Sequence, residues 1–342
     1  MNQKKRYLLI IALVFVCFLL FKNYIKTNLK HEENKVVKIG VCTYKASDTF
    51  IASIVAELEK IIKEEEQLRE TTIKLDISDA KESQLTQNEQ VQKYIALDYD
   101  VICVNIVDRT SAARLIDQAS SAQIPLVFFN RQPVEEDMYR SDSVYYIGSN
   151  AKESAIMQGE LIIEAYKRNP EFIDKNQNGI IEYAILEGEA GHQDTVIRTE
   201  YAIKTLEEKG LELKKVAGWC ANFDRNQAAA LVEQWLSHEQ EEIELILSNN
   251  DDMALGAADA IEKLEEESIA IVGIDGTPQG REAVDKGILL GTVVSEQKLY
   301  ARKIFTLCDA LIKGDEFVDQ LELEDNKYMW MPWGKYIQDF YR

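Results

Sequence analysis

The sequence predicts an α/β protein built from two doubly wound lobes, and three observations carry that prediction. The chain has 342 residues, 46% hydrophobic and 29% charged, enough to bury two ordinary cores. Short runs rich in β-branched residues alternate with amphipathic stretches of helical period almost without exception. The alternation then starts afresh near the middle of the chain, as a second series of the same kind.

In the first series, VVKIGVCTY leads into a helix over 48–66, TIKLDIS into one over 84–97 and DVICVNIVD into one over 110–122, with IPLVFFN and VYYIGS following. Apolar runs of this length, each followed by a helix, predict parallel strands covered on both faces. The second series passes through IEYAILEG, LELKKVAGW, IELILSNN, IAIVGIDG and ILLGTVV, with helices between. In doubly wound sheets, ligands bind beyond the carboxyl ends of the strands. The unusual polar residues of this chain stand there: Asp48 with Phe50, Asn105, His192 with Asp194, Asn250 with Asp251, and Asp275.

Residues 1–35 have a different character. MNQKKRYLLIIALVFVCFLLF joins a basic start to fifteen uninterrupted apolar residues, the pattern of an export signal, and a polar tether follows. Lys4, Lys5 and Arg6 keep this end inside and send the body out of the cytoplasm. No small-residue cleavage site follows the apolar run, and Val16 precedes Cys17 where a lipoprotein box needs a small residue. An uncleaved membrane anchor is therefore expected, with cleavage and lipidation as the alternatives.

Composition removes other classes. With 59 acidic against 39 basic residues the net charge is -20, which disfavours nucleic acid, since phosphate contacts need clustered Lys and Arg. There is no P-loop, GxGxxG, GxSxG or HExxH, and only three histidines, His31, His192 and His238, so an enzyme is not expected. Cys17, Cys42, Cys103, Cys220 and Cys308 lack metal spacing and read as buried free thiols, one buried disulfide staying open.

Taken singly, Asp48 or Asp251 reads as a helix N-cap. Together with His192, Asp194 and Arg198 of GHQDTVIR and with Asn250 and Asp275, these residues offer what a polyhydroxylated ring requires. Each sugar hydroxyl donates and accepts, and the flat C–H faces of the ring pack on aromatic side chains.

One further motif stands apart. DKNQNGIIE, residues 174–182, has oxygen-bearing side chains at its first, third, fifth and ninth positions and glycine at the sixth. That is the start of an EF-hand calcium loop, but the twelfth position, which should supply a bidentate Glu, is Ile185.

From about residue 36 to the end, KIGVCTYKASDTF, NIVD, PLVFFNRQP, YYIGSNAKES, QGELI, DKNQNGIIEYAILEGEAGHQDTVIRT and IELILSNNDDMALGA resemble the bacterial galactose/glucose-binding proteins of sugar ABC transport and chemotaxis. The resemblance implies two Rossmann-like lobes in the type I periplasmic-binding-protein fold. The N-terminal lobe would be 36–148 plus 296–331, and the C-terminal lobe 149–295 plus 332–342. It implies a monosaccharide held by Asp48, Phe50, Asn105, His192, Asp194, Arg198, Asn250 and Asp275. Phe223 takes the position of the family's second stacking ring, a Trp, with Trp219 four residues earlier; Ser295 stands where the family has Asn. Both departures bear on which hexose is preferred.

The resemblance also supplies the missing calcium ligand, a carboxylate from a distant strand, here Glu244. The implied Ca2+ site is Asp174, Asn176, Asn178, the carbonyl of Ile180, Glu182 and Glu244. Three formal negative charges remain, as a hard cation needs. The implied protein is a monomer that hands its sugar to an ABC permease or, alternatively, a membrane-anchored subunit signalling to a histidine kinase or chemoreceptor.

Overall fold

In the computed structural model, residues 36–69, 71–238, 242–265 and 269–338, together with Lys22, are described. The expected anchor, the rest of its tether, Cys17 and His31 lie outside them, as do residues 339–342. Two six-stranded sheets are present among the described residues.

The first sheet holds β1 (Val37–Thr43), β2 (Ile73–Asp79), β3 (Val101–Val104), β4 (Leu126–Phe129), β5 (Val144–Ser149) and β11 (Tyr328–Met331), in the order β11-β5-β4-β3-β1-β2 and parallel throughout. The second holds β6 (Ile180–Glu187), β7 (Glu212–Cys220), β8 (Leu245–Ser248), β9 (Ala270–Asp275), β10 (Gly291–Val294) and β12 (Gly334–Ile337), ordered β12-β10-β9-β8-β6-β7. Only β12 runs antiparallel in it. The last two strands, β11 and β12, add one edge to each sheet, and with Ile337 as their one β-branched residue they carry no run of that kind to announce them.

The central strands read VICV and LVFF and are wholly buried, as strands covered on both faces must be. At the other edges β2 and β7 are only partly covered, so the expectation of burial on both faces fails there. An edge strand has a neighbour on one side only, which leaves its outer row open to water.

The helices used below are α1 (Thr49–Arg69), α2 (Gln84–Ala96), α3 (Ala112–Ser121), α4 (Glu135–Met138), α5 (Ala151–Arg168), α6 (Gln193–Glu208), α7 (Arg225–His238), α8 (Asp251–Leu264), α9 (Pro278–Asp285) and α10 (Gln297–Lys313). On one face of the first sheet, Ile51, Ile54, Leu58 and Ile61 of α1 pack with Tyr300, Ile304, Leu307 and Cys308 of α10. The sequence places α10 almost at the end of the chain, yet it completes the first lobe.

The chain passes between the sheets three times: between β5 and α5 at Asn150, between β10 and α10 at Ser295 and Glu296, and between β11 and β12 at Pro332 and Trp333. Trp333 donates its indole N–H to the Asn150 carbonyl at 2.8 Å, so two crossings are joined by a hydrogen bond. Among the described residues, no helix is long and apolar enough to cross a membrane. Cys42, Cys103 and Cys308 are buried free thiols; Cys220 is only half-buried.

Candidate functional site

The carboxyl ends of both sheets face one cleft, and a cavity there is lined by Tyr44, Asp48, Phe50, Asn130 and Arg131 from the first lobe and by His192, Asp194, Arg198, Phe223, Asn250 and Asp275 from the second. Most of these end or follow a strand or open a helix, where a doubly wound fold leaves backbone and side chains free, and Arg198 reaches the cavity from the second turn of α6.

Several lining residues cap helices while keeping atoms for the cavity. Asp48 Oδ1 accepts from the Ile51 N–H at 2.9 Å, and its Oδ2 accepts from the Tyr44 hydroxyl at 2.6 Å. Asn250 caps α8 through Met253 N–H at 2.9 Å. His192 caps α6 by accepting the Asp194 N–H on Nδ1 at 3.1 Å. That bond assigns the remaining proton to Nε2, so the ring is a neutral donor. Burial pushes this imidazole down to about 4, the nearby Arg131 and Arg198 pushing the same way against Asp194 and Glu189.

Arg198 is the most connected cation. It donates to the Asn249 carbonyl at 2.8 Å, reaches Asp194 Oδ2 at 3.3 Å and Asp275 Oδ1 at 3.8 Å, and lies over the Trp333 ring. Its Nε is buried without a hydrogen-bond partner. Burial raises the Asp275 carboxyl well above the usual carboxylate range, with Arg198 opposing. Asp275 also has a φ of 125°, a conformation that L-residues pay roughly 1–3 kcal/mol to adopt and that collects at functional sites.

The aromatic positions separate cleanly. Phe50 is buried and meets the Tyr300 ring edge-on at 6.1 Å between centroids. Phe223 meets the His192 ring edge-on at 5.3 Å. It also crowds Gly188, where an added Cβ would lie 2.1 Å from the Phe223 ring, so only glycine lets that ring lie where it does. Trp219, four residues earlier on β7, is 67% exposed and lines no part of the cavity.

Two sequence candidates are not brought to the cavity wall. Asn105 is fully buried; it takes the Tyr44 N–H at 3.4 Å and gives its amide to the Phe129 carbonyl and Asn130, each at 3.2 Å. Ser295 is likewise buried, 3.4 Å from the Ser149 hydroxyl at a lobe crossing. Three lining residues had not been singled out: Tyr44, Asn130 and Arg131. The same signal, a polar residue just past a strand, marks Asn130 and Arg131 in PLVFFNRQP.

Loop 174–182 lies at the opposite end of the second lobe and runs into β6, whose first three residues are 180–182. Glu244 Oε1 accepts the Lys175 and Asn176 N–H groups at 2.7 and 3.0 Å, and its Oε2 accepts the Glu182 N–H at 3.2 Å. Glu182 takes amide protons from Asn176 and Asn178. Asn178 Oδ1 accepts the Ile180 N–H at 2.7 Å. Asp174 Oδ2 accepts the Gly179 N–H at 3.1 Å, while Oδ1 is buried with no partner. Burial pushes the Glu244 carboxyl up, the adjoining Glu182 adding to that against the backbone N–H groups around it. Among the described residues, no three His, Cys, Asp or Glu side chains stand close enough to hold a metal as they lie.

A cleft between two doubly wound lobes joined by three crossings, lined from both sides by hydrogen-bonding groups, defines a two-lobed binding protein that closes on a small polar ligand. The chain belongs to the periplasmic binding protein domain family, whose model matches residues 39–316. It is 34% identical over 291 residues to the D-galactose/methyl-galactoside binding periplasmic protein MglB of Haemophilus influenzae, covering 84% of this chain and 86% of that one. It is 31% identical over 222 residues to a putative rhizopine-binding protein of Rhizobium meliloti, covering 64% and 67%. Among solved structures, an ABC transporter solute-binding protein of Bacillus halodurans with bound myo-inositol superposes with a TM-score of 0.72 at 27% identity, covering 89% of this chain and 96% of that one. The family is one of binding proteins without a catalytic step, so this cavity holds its ligand and does not transform it.

Proposed function

We propose that the protein binds a neutral monosaccharide of the galactose or glucose type between its lobes, outside the cytoplasm, and delivers it to a sugar ABC permease. The pairing of charges within the cavity carries this reading. Arg131 is engaged by Glu189, and Arg198 by Asp194 and Asp275. Among the described residues lining this cavity, both cations face carboxylates, which leaves neither over for a phosphate or a carboxylate, and the one histidine is neutral. What remains is a set of donors and acceptors beside two phenyl rings, one from each lobe, which suits hydroxyls and C–H faces. The relative that binds D-galactose and methyl-galactoside supports the same ligand class. A thermal-shift panel of monosaccharides, hexuronates and sugar phosphates tests it. A neutral hexose at 1,000 times its dissociation constant should stabilise by roughly 4 kcal/mol, and stabilisation by the anionic sugars alone would overturn the reading.

Calcium at loop 174–182 is part of the same proposal. The buried, unpartnered Asp174 Oδ1 and the facing carboxylates of Glu182 and Glu244 fit a hard cation, which would relieve both. Asp174, Asn176, Asn178, the Ile180 carbonyl, Glu182 and Glu244 would hold it, tying the loop to β8 through the residue before that strand. Retention at the membrane through residues 7–21 completes the proposal, and intact-mass analysis of the membrane fraction tests it. A species starting at Met1 supports the anchor; a diacylated species starting at Cys17 or a soluble one starting within 22–35 overturns it.

A further inference from the structure

We propose that Arg131 and Glu189 form a latch across the cleft, and that Arg131 passes closure on to the ligand-gripping carboxylate of Asp48 through the ring of Tyr44. The proposal deepens the sugar-binding reading and rests on it. Arg131 follows β4 in the first lobe and Glu189 follows β6 in the second, yet Arg131 Nη2 donates to Glu189 Oε1 at 2.6 Å. The guanidinium is anchored on its own lobe by donating to the Val107 carbonyl at 3.2 Å, and it lies 3.5 Å from the centre of the Tyr44 ring. Tyr44 in turn gives its hydroxyl proton to Asp48 Oδ2 at 2.6 Å. A continuous line therefore runs from a carboxylate of one lobe to the cavity-lining carboxylate of the other.

Three features make this more than a surface ion pair. Arg131 is 7% exposed, so its charge is partnered inside the protein rather than in water. It lines the cavity itself, together with Tyr44 and Asp48. The space between the walls is only about 30 Å³, whereas the two mouths beside it offer about 210 and 370 Å³. A pyranose needs more than the central space, and parting the lobes to admit it would break the Arg131–Glu189 bond. On the opposite side, Thr49 of the first lobe and Asp252 of the second line one space.

A latch of this kind shifts the ligand-free balance toward closure and slows release of whatever is enclosed. Glu189→Gln and Arg131→Met test it, with stopped-flow rates for a bound hexose and small-angle scattering of the ligand-free protein. The expected result is a release rate raised about tenfold, an association rate changed by less than about threefold, and a larger ligand-free radius of gyration in both variants. The double variant should be no worse than the worse single one, because both remove one interaction. Unchanged release rates and an unchanged radius in Glu189→Gln, whose side chain is partly exposed and buries no core, would overturn the latch. Additive losses in the double variant would overturn the pairing. If the wild type binds no hexose, the sugar reading fails, and the scattering comparison still decides whether the two residues hold the lobes together.

Discussion

Arg198 and Asp275 bring opposite charges to 3.8 Å in the second lobe with both side chains more than nine-tenths buried, and the carboxylate is on a residue of left-handed φ. Both residues belong to one lobe, Arg198 on α6 and Asp275 at the end of β9, so their pairing does not depend on the first lobe. Preorganised polar groups of this kind lose little entropy on binding, which is why a few of them dominate affinity.

Removing one should therefore abolish useful binding. Arg198→Ala or Asp194→Ala should cost about 1.5–3 kcal/mol for each charge-assisted hydrogen bond lost to the sugar. Isothermal titration calorimetry reads this directly, and wild-type affinity in both variants would move the ligand away from this cavity.

The aromatic wall makes a sharper distinction. Phe223→Ala should weaken hexose binding about tenfold or more, through lost ring packing, while Trp219→Ala, on a largely exposed side chain, should leave it unchanged. The opposite outcome would assign the stacking ring to Trp219.

For the calcium loop, a chelator should lower the melting temperature of the wild type, and Glu244→Gln should lower it without chelator, because the closing carboxylate is lost while its shape is kept. Differential scanning calorimetry with and without added calcium measures both. Melting that ignores the chelator would rule the site out.

His192 makes a pH prediction whose sign follows from its depressed value of about 4 against about 6.5 when unfolded. Between those limits the unfolded chain takes up a proton that the folded chain refuses, so this residue's contribution to stability is complete above pH 6.5 and is lost as the pH falls toward 4. The groups facing the imidazole are Asp194, Arg131, Glu189 and Arg198. The histidine's ring resonances should titrate with a midpoint near 4 by NMR, and a midpoint near 6.5 would contradict the buried, neutral ring.

The helices and central strands were legible because their periods and lengths are set locally. The predicted helix over 84–97 is α2, Gln84–Ala96, and VICV and LVFF announce buried strands by composition alone. The edges were not legible: YMWM and GKYI become strands only because β5 and β10 present open edges to them. Within the site, residues next to strand ends were readable as candidates, but not their depth. Asn105 is drawn inward by the Tyr44 N–H and the Phe129 carbonyl, partners supplied by separate segments. Arg131 was overlooked for the converse reason. An Arg in a loop reads as solvated until a ring and a carboxylate from elsewhere enclose it.

The three lobe crossings bear on how the molecule is made. The first sheet receives its last strand, β11, from residues 328–331, and one face of its core receives α10, Gln297–Lys313. Until nearly the whole chain has been synthesised, the earliest 110 or so residues lack both an edge and a cover, so they cannot settle as a finished domain while the rest is being made. Contacts joining the two ends of a chain also form slowly, since the intervening segment must first be ordered. A protein arranged in this way stays open until late in its synthesis, and its first lobe is finished only when the last segments of the chain arrive.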